Sequence, residues 1–188
     1  MSDSAQRHRE VAGAFTDRVI GTRDWSAPAP VAGWTARDVV DHLVGWLPGF
    51  LAGGGVTLPI GPPVAGDPVA AWRAHAGAVQ ALLDDPAAAG SHFAHPMAGE
   101  GVLGDVIDAF YTADVFMHTW DLARATGQDD RLDPEYCATL LAGMEPIDEL
   151  LRASGQYGPP VPVPADADVQ VRMLGFIGRD PFWKPATS

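Results

Sequence analysis

The sequence predicts an all-α fold, a four-helix bundle with one long crossover loop and a short C-terminal arm. Three observations carry that expectation. Apolar residues recur at three- and four-residue steps in separate segments, Pro and Gly punctuate the stretches between them, and alternating strand patterns are scarce. At 188 residues the chain fits one domain, able to bury about two thirds of its unfolded surface in a single core. No internal repeat of solenoid length is present.

His8, Val11, Ala12, Phe15 and Val19 mark a first amphipathic helix that ends near Gly21. A Pro-rich turn, SAPAPVAGW, follows, and Thr35 with Asp38 has the pattern of a capping box. Val39, Val40, Leu43, Trp46 and Leu47 continue this second helix, which Pro48 and the glycines after it are expected to stop. The stretch from Gly49 to Pro68 reads as the crossover loop, a lid or wall over a site. Val69, Trp72, Ala76, Val79 and Leu83 form a third stripe, and SHFAHPMAGEG reads as a connector without regular structure. From about Asp105 to Thr126 runs the longest helical pattern, with Ile107, Phe110, Tyr111, Val115, Leu122 and Ala125, and Gly127 stops it. Asp133 followed by Pro134 starts another helix, carrying Leu140, Leu141, Met144, Leu150 and Leu151, which Pro146 should kink. Beyond it, GQYGPPVPVPADADVQ reads as extended, and VRMLGFIGRDPFW is expected to pack a short helix or turn onto the body. These boundaries put a helical body at residues 1–155 and an arm packed on the same domain at 156–188.

Composition narrows the partners. With a formal charge of −12 the chain lacks the Lys and Arg clusters that phosphate recognition needs, so neither nucleic acid nor an anionic membrane is expected. The N-terminus has no apolar signal-peptide core, and no uninterrupted apolar run reaches membrane-spanning length; a cytoplasmic protein is expected. The lone cysteine, Cys137, fits that compartment and reads as a small buried apolar residue in the first turn of its helix. Basic residues are Arg apart from Lys184, and Ala, Gly and Pro are abundant, as in proteins from GC-rich genomes.

Polar side chains on apolar stripes point to chemistry. Asp114 and His118 lie one turn apart on the face that also carries Ile107, Tyr111 and Leu122. His42, three residues after Val39 and four before Trp46, lies on the inward stripe of its own helix. A buried carboxylate is costly unless it is paired or coordinates a metal. Two imidazoles and one carboxylate on facing helices make three ligands for a divalent metal, zinc first, with nickel or iron as other candidates. Such a set leaves a position open for water, a thiolate or a substrate oxygen. The same residues also describe a metal-free buried pair, or a non-haem iron triad. Asp41 and Asp121 are candidate acceptors for the imidazole N–H groups, with surface pairing to Arg124 the favoured reading of Asp121. His92 and His95 read as solvated histidines, Glu100 as a weak candidate base, and Trp34, Trp46 and Trp120 as a wall between pocket and core.

Two segments carry a family resemblance. GWTARDVVDHLVGW, residues 33–46, and YTADVFMHTWDLARATG, residues 111–127, resemble the signature helices of the actinobacterial mycothiol-dependent maleylpyruvate isomerase N-terminal domain family. That family belongs to the wider DinB-like superfamily of metal-binding four-helix bundles. Residues 157–181, with GPPVPVP and GRDP, resemble a branch of small, uncharacterised members, so the resemblance spans most of the chain in order. It implies a DinB-like bundle whose metal is held by His42, Asp114 and His118, at the places of the family's His and its acidic residue and His four apart. The isomerase's acidic ligand is a glutamate, and the shorter Asp114 implies an ion closer to the helix or more weakly held. The isomerase also has an additional C-terminal domain that contributes to its active site, where this chain has a short arm, so isomerisation itself is not expected. What the resemblance implies is a metal that binds a low-molecular-weight thiol such as mycothiol and a transferase or related activity on a small substrate. The alternative is a non-catalytic metal- or small-molecule-binding stress-response module. Pairing of exposed bundle faces would make it a homodimer.

Overall fold

A computed structural model of the protein describes residues 3–185. Positions 1–2 and 186–188, the outer ends of the two expected segments, lie outside the described residues. In chain order the elements are α1 (Asp3–Gly21), α2 (Ala36–Gly53), α3 (Pro68–Asp84), the short α4 (Pro86–Ala89), strands β1 (His92–His95) and β2 (Gly99–Val102), and α5 (Leu103–Val106). A π turn (Ile107–Thr112) then leads into α6 (Ala113–Thr126), followed by α7 (Pro134–Met144), a 3-10 turn (Glu145–Ile147), α8 (Asp148–Ala153) and α9 (Val169–Phe176). The described chain is mostly helical, with a single two-stranded sheet. Among the described residues no helix is long and apolar enough to cross a membrane.

Local chemistry sets the helix ends. Thr35 and Asp38 close the capping box at the start of α2, each taking the other's backbone N–H. Asp67 and Asp133 cap α3 and α7 by accepting the backbone N–H of Ala70 and Tyr136, each followed by Pro at the first helical position. Gly127 ends α6 in the left-handed region at φ 67°, where a side chain would be strained.

Apolar stripes then assemble the core. Helix α1 packs against α3 and α6, and α2 packs against the same two, so each of these four long helices touches two others. Phe15, Val19, Leu43, Leu47, Trp72, Val79, Val115 and Leu122 meet inside, and burial of each such side chain contributes about 1.5–3 kcal/mol. The rings of Phe15 and Trp72 stand 4.5 Å apart edge to face, and the Trp72 indole donates to Thr16 Oγ1 at 2.8 Å, so this bulky residue is buried with its polar atom satisfied.

Three elements depart from the sequence reading. Pro48 lies inside α2 rather than ending it. A proline there costs about 3 kcal/mol, but the turn beyond it buries Leu51 completely and sets Phe50 against Phe93, which offsets that cost. The connector SHFAHPMAGEG is an antiparallel hairpin with His92 opposite Val102 and His95 opposite Gly99. Its strands are four residues long, too short for alternation to show, and buried Phe93 anchors it. The long helix is broken by the π turn, where Ala113 N–H donates to the Asp108 carbonyl five residues back. Pro146 falls in the 3-10 turn, as its effect on a helix requires. Residues 156–168 carry no helix or strand, and α9 packs on α7 with Met173, Leu174 and Ile177 buried.

Two imidazoles sit inside this core, His8 on α1 and His75 on α3. Burial, with a smaller contribution from His8, pushes the His75 pKa down from 6.5 to about 4. The unfolded chain therefore binds a proton at His75 that the folded chain refuses. Stability from this residue is complete above pH 6.5 and declines as pH falls from there to about 4, by roughly 3 kcal/mol in all. Urea denaturation across this range should show that decline, and His75→Phe should flatten it.

Candidate metal centre

The three expected ligands meet where α2 faces α6. One ligand atom from each of His42, Asp114 and His118 lies within 4.8 Å of the others, close enough to hold a metal ion. His42 Nε2 stands 3.0 Å from Asp114 Oδ2, and His118 Nε2 stands 3.4 Å from Asp114 Oδ1. His118 is buried, whereas the His42 and Asp114 side chains are 33% and 20% exposed, so the cluster opens to solvent on one side.

Neighbouring groups commit most of the available lone pairs and protons. The Trp46 indole donates to Asp114 Oδ2 at 3.0 Å. Asp121, on the same face of α6 as His118, sets its Oδ2 2.8 Å from His118 Nδ1. A carboxylate there is an acceptor, so the Nδ1 proton points to Asp121 and the Nε2 lone pair points to Asp114. Two lone pairs thus face each other across 3.4 Å, an arrangement that calls for a proton or a cation between them.

Asp121 is wholly buried, and the C-terminal arm neutralises it. Arg179 Nε donates to Oδ1 at 3.0 Å and Arg179 Nη2 to Oδ2 at 3.0 Å, a bidentate pair. Gly178, at φ 84°, turns the chain into Arg179, and a Cβ at that position would stand 3.0 Å from the Gly158 carbonyl carbon. Arg152 clasps the same corner by donating to the carbonyls of Gly158 and Phe176. Burial pushes the Asp121 carboxyl up, but the hydrogen bond from His118 and the Arg179 charge outweigh it and hold the group below its usual range. Asp114 behaves likewise: burial raises it, and His118, His42 and Trp46 bring it down further than burial lifts it.

Aromatic rings wall the cluster. The bridge between Pro28 and Thr35 closes a turn that presents Trp34, whose ring stacks on His118 at 5.7 Å and lies 5.1 Å from His42. Trp46 sits beside His42, but Trp120 is core rather than wall, 1% exposed. The surface pair expected for Asp121 does not form: Arg124 binds Asp130 instead, and Asp121 is inside. The sequence hid this because Arg179 lies 58 residues away, and only the fold brings it close. Asp41 is exposed. His92 and Glu100 are exposed on the hairpin, 3.5 Å from each other, and His95 packs on Phe50. Cys137 is buried, as expected, and burial together with Asp133 pushes its thiol up to about 12.

Two outcomes follow from this geometry. Arg179→Ala leaves Asp121 buried without its countercharge and should cost about 3–5 kcal/mol, read as a fall in the urea midpoint. Native protein at pH 8 should resist alkylation of Cys137 by iodoacetamide, whereas urea-unfolded protein should be alkylated fully, as intact mass will show.

No family model and no solved structure matches the chain. It is similar to two uncharacterised proteins of Mycobacterium tuberculosis, Rv0738 of strain ATCC 25618 / H37Rv and MT0763 of strain CDC 1551 / Oshkosh. Each is 31% identical over 182 residues, covering 94% of this chain and 98% of the relative. The chain belongs to the family of these mycobacterial proteins.

Proposed function

We propose that the protein binds one divalent metal, zinc in the first instance, through His42, Asp114 and His118, and uses it in thiol-dependent chemistry on a small substrate in the cytoplasm. The observation that carries this reading is the facing pair of lone pairs on His118 Nε2 and Asp114 Oδ1, with the remaining proton of His118 committed to Asp121. The donor set fits the ion: two imidazoles and one carboxylate suit zinc, nickel or iron. Local charge fits as well, because Asp114 and Asp121 bring two negative charges and Arg179 returns one positive charge.

The packing of α1, α2, α3 and α6 around one core supports a DinB-like four-helix bundle, and the resemblance to the mycothiol-dependent isomerase family supports a thiol such as mycothiol as the co-substrate. A bound ion, held by His42, Asp114 and His118, would supply Lewis-acid activation of a thiol or water. The chain's own residues do the rest. Asp121 and Arg179 lock the His118 ring, Trp46 orients the Asp114 carboxylate, and Trp34 covers one flank of the cluster.

A second reading is a non-catalytic metal- or small-molecule-binding module of a stress response. It is favoured by the engagement of the cluster's charged groups with one another: Asp114 with His42, His118 with Asp121 and Asp121 with Arg179. That leaves none of them a convincing free general acid or base.

Metal analysis by inductively coupled plasma mass spectrometry decides the first step, on protein purified without an affinity tag. Wild type should carry near-stoichiometric metal, and His42→Ala, Asp114→Ala and His118→Ala should each lose it. Wild type that stays empty after zinc, nickel or iron is supplied would leave a metal-free cluster in which His118 packs between two carboxylates. For metal-loaded protein, mass spectrometry after incubation with mycothiol and an electrophile separates the two readings, since only a transferase accumulates conjugate.

A further inference from the structure

The π turn carries two hydroxyls into the interior, those of Tyr111 and Thr112, both fully buried. Against Tyr111 lie the two core imidazoles. The His8 ring stacks on it at 6.1 Å, and the His75 ring meets it edge-on at 5.6 Å. His8 Nε2, His75 Nε2, the Tyr111 hydroxyl and Thr112 Oγ1 are all buried without a hydrogen-bond partner among the described residues. Orphaned polar atoms are uncommon in a core, and three of them on Tyr111 and the two rings packed against it mark a ligand site rather than an accident of packing.

Hydrogen-bond chemistry defines what the site accepts. Gln80 Nε2 donates to the Ala5 carbonyl and to Asp84, so Gln80 Oε1 is the end that faces His8 Nδ1, at 2.9 Å. The His8 proton is thereby placed on Nδ1, and Nε2 is a bare lone pair. The Tyr111 hydroxyl is a donor in search of an acceptor. Charge is unwelcome here: burial lowers the pKa of both imidazoles and raises that of the phenol, so all three groups stay neutral at pH 7 and offer no countercharge. The occupant must be small, neutral and able both to donate and to accept. Water, with two donors and two acceptors, meets that demand.

We propose that His8, His75 and Tyr111 hold ordered water in an internal site opened by the π turn, one helical turn from Asp114. The site does not depend on the metal reading. It bears on the candidate centre through Trp46, whose ring lies 5.7 Å from Tyr111 and whose indole N–H donates to Asp114. Bridged to both imidazoles, Tyr111 becomes a fixed backing for Trp46 and so for the Asp114 carboxylate.

A high-resolution crystal structure of the full chain tests this directly. Density for water within hydrogen-bonding distance of at least two of His8 Nε2, His75 Nε2 and the Tyr111 hydroxyl is the expected result. No such water, or an anomalous peak from an ion at that place, overturns the proposal. Urea denaturation of Tyr111→Phe gives an independent reading. Loss of a bridged hydroxyl should raise the unfolding equilibrium constant about tenfold, whereas a variant as stable as wild type, or more so, would show that the hydroxyl had no partner to lose.

Discussion

A carboxylate with no access to water dominates the architecture. Asp121 is 0% exposed, and a charge in that position is tolerated only when it is paired and hydrogen-bonded. Its two oxygens are shared between Arg179, from the far end of the chain, and His118, one turn back on α6. Charge balance at Asp121 therefore ties the C-terminal arm to the helical core, and the same contact decides which nitrogen of His118 faces Asp114. The fold and the candidate site hang on one group.

Two groups of polar side chains are linked through the contact of Trp46 with Tyr111. One holds His42, Asp114 and His118 and opens to solvent at His42 and Asp114; the other holds His8 and His75, which are buried and neutral at pH 7. Burial explains the difference. Asp114 and Asp121 are held ionised against burial by imidazole and guanidinium partners, while burial lowers the pKa of His8 and His75 and leaves them neutral. The π turn lies at this link, placing Tyr111 and Thr112 in the interior and bringing the chain into register for Asp114 just after it.

Much of this was legible in the order of residues. Capping groups announce themselves because they act within one turn: Thr35 with Asp38, Asp133 before Pro134, and Gly127 at the end of α6. The candidate ligands were legible for a related reason, since Asp114 and His118 share a face by helical spacing and His42 lies on an apolar stripe. Pro48, the β-hairpin and the π turn were not. In the first two, a local preference was overruled by burial of particular side chains, Leu51 beyond Pro48 and Phe93 in the hairpin.

The sequence by itself determined the helical class, the starts and stops of most long helices, and the identity of three side chains suited to a metal. These follow from interactions between residues three or four positions apart, which the chain order contains in full. Only the tertiary structure decided that Asp121 looks inward to His118 and Arg179 rather than outward to Arg124, and that the His8 and His75 rings pack against Tyr111. Those outcomes depend on which faces of distant segments come together, and the free energy that brings them together is spread over the whole apolar core.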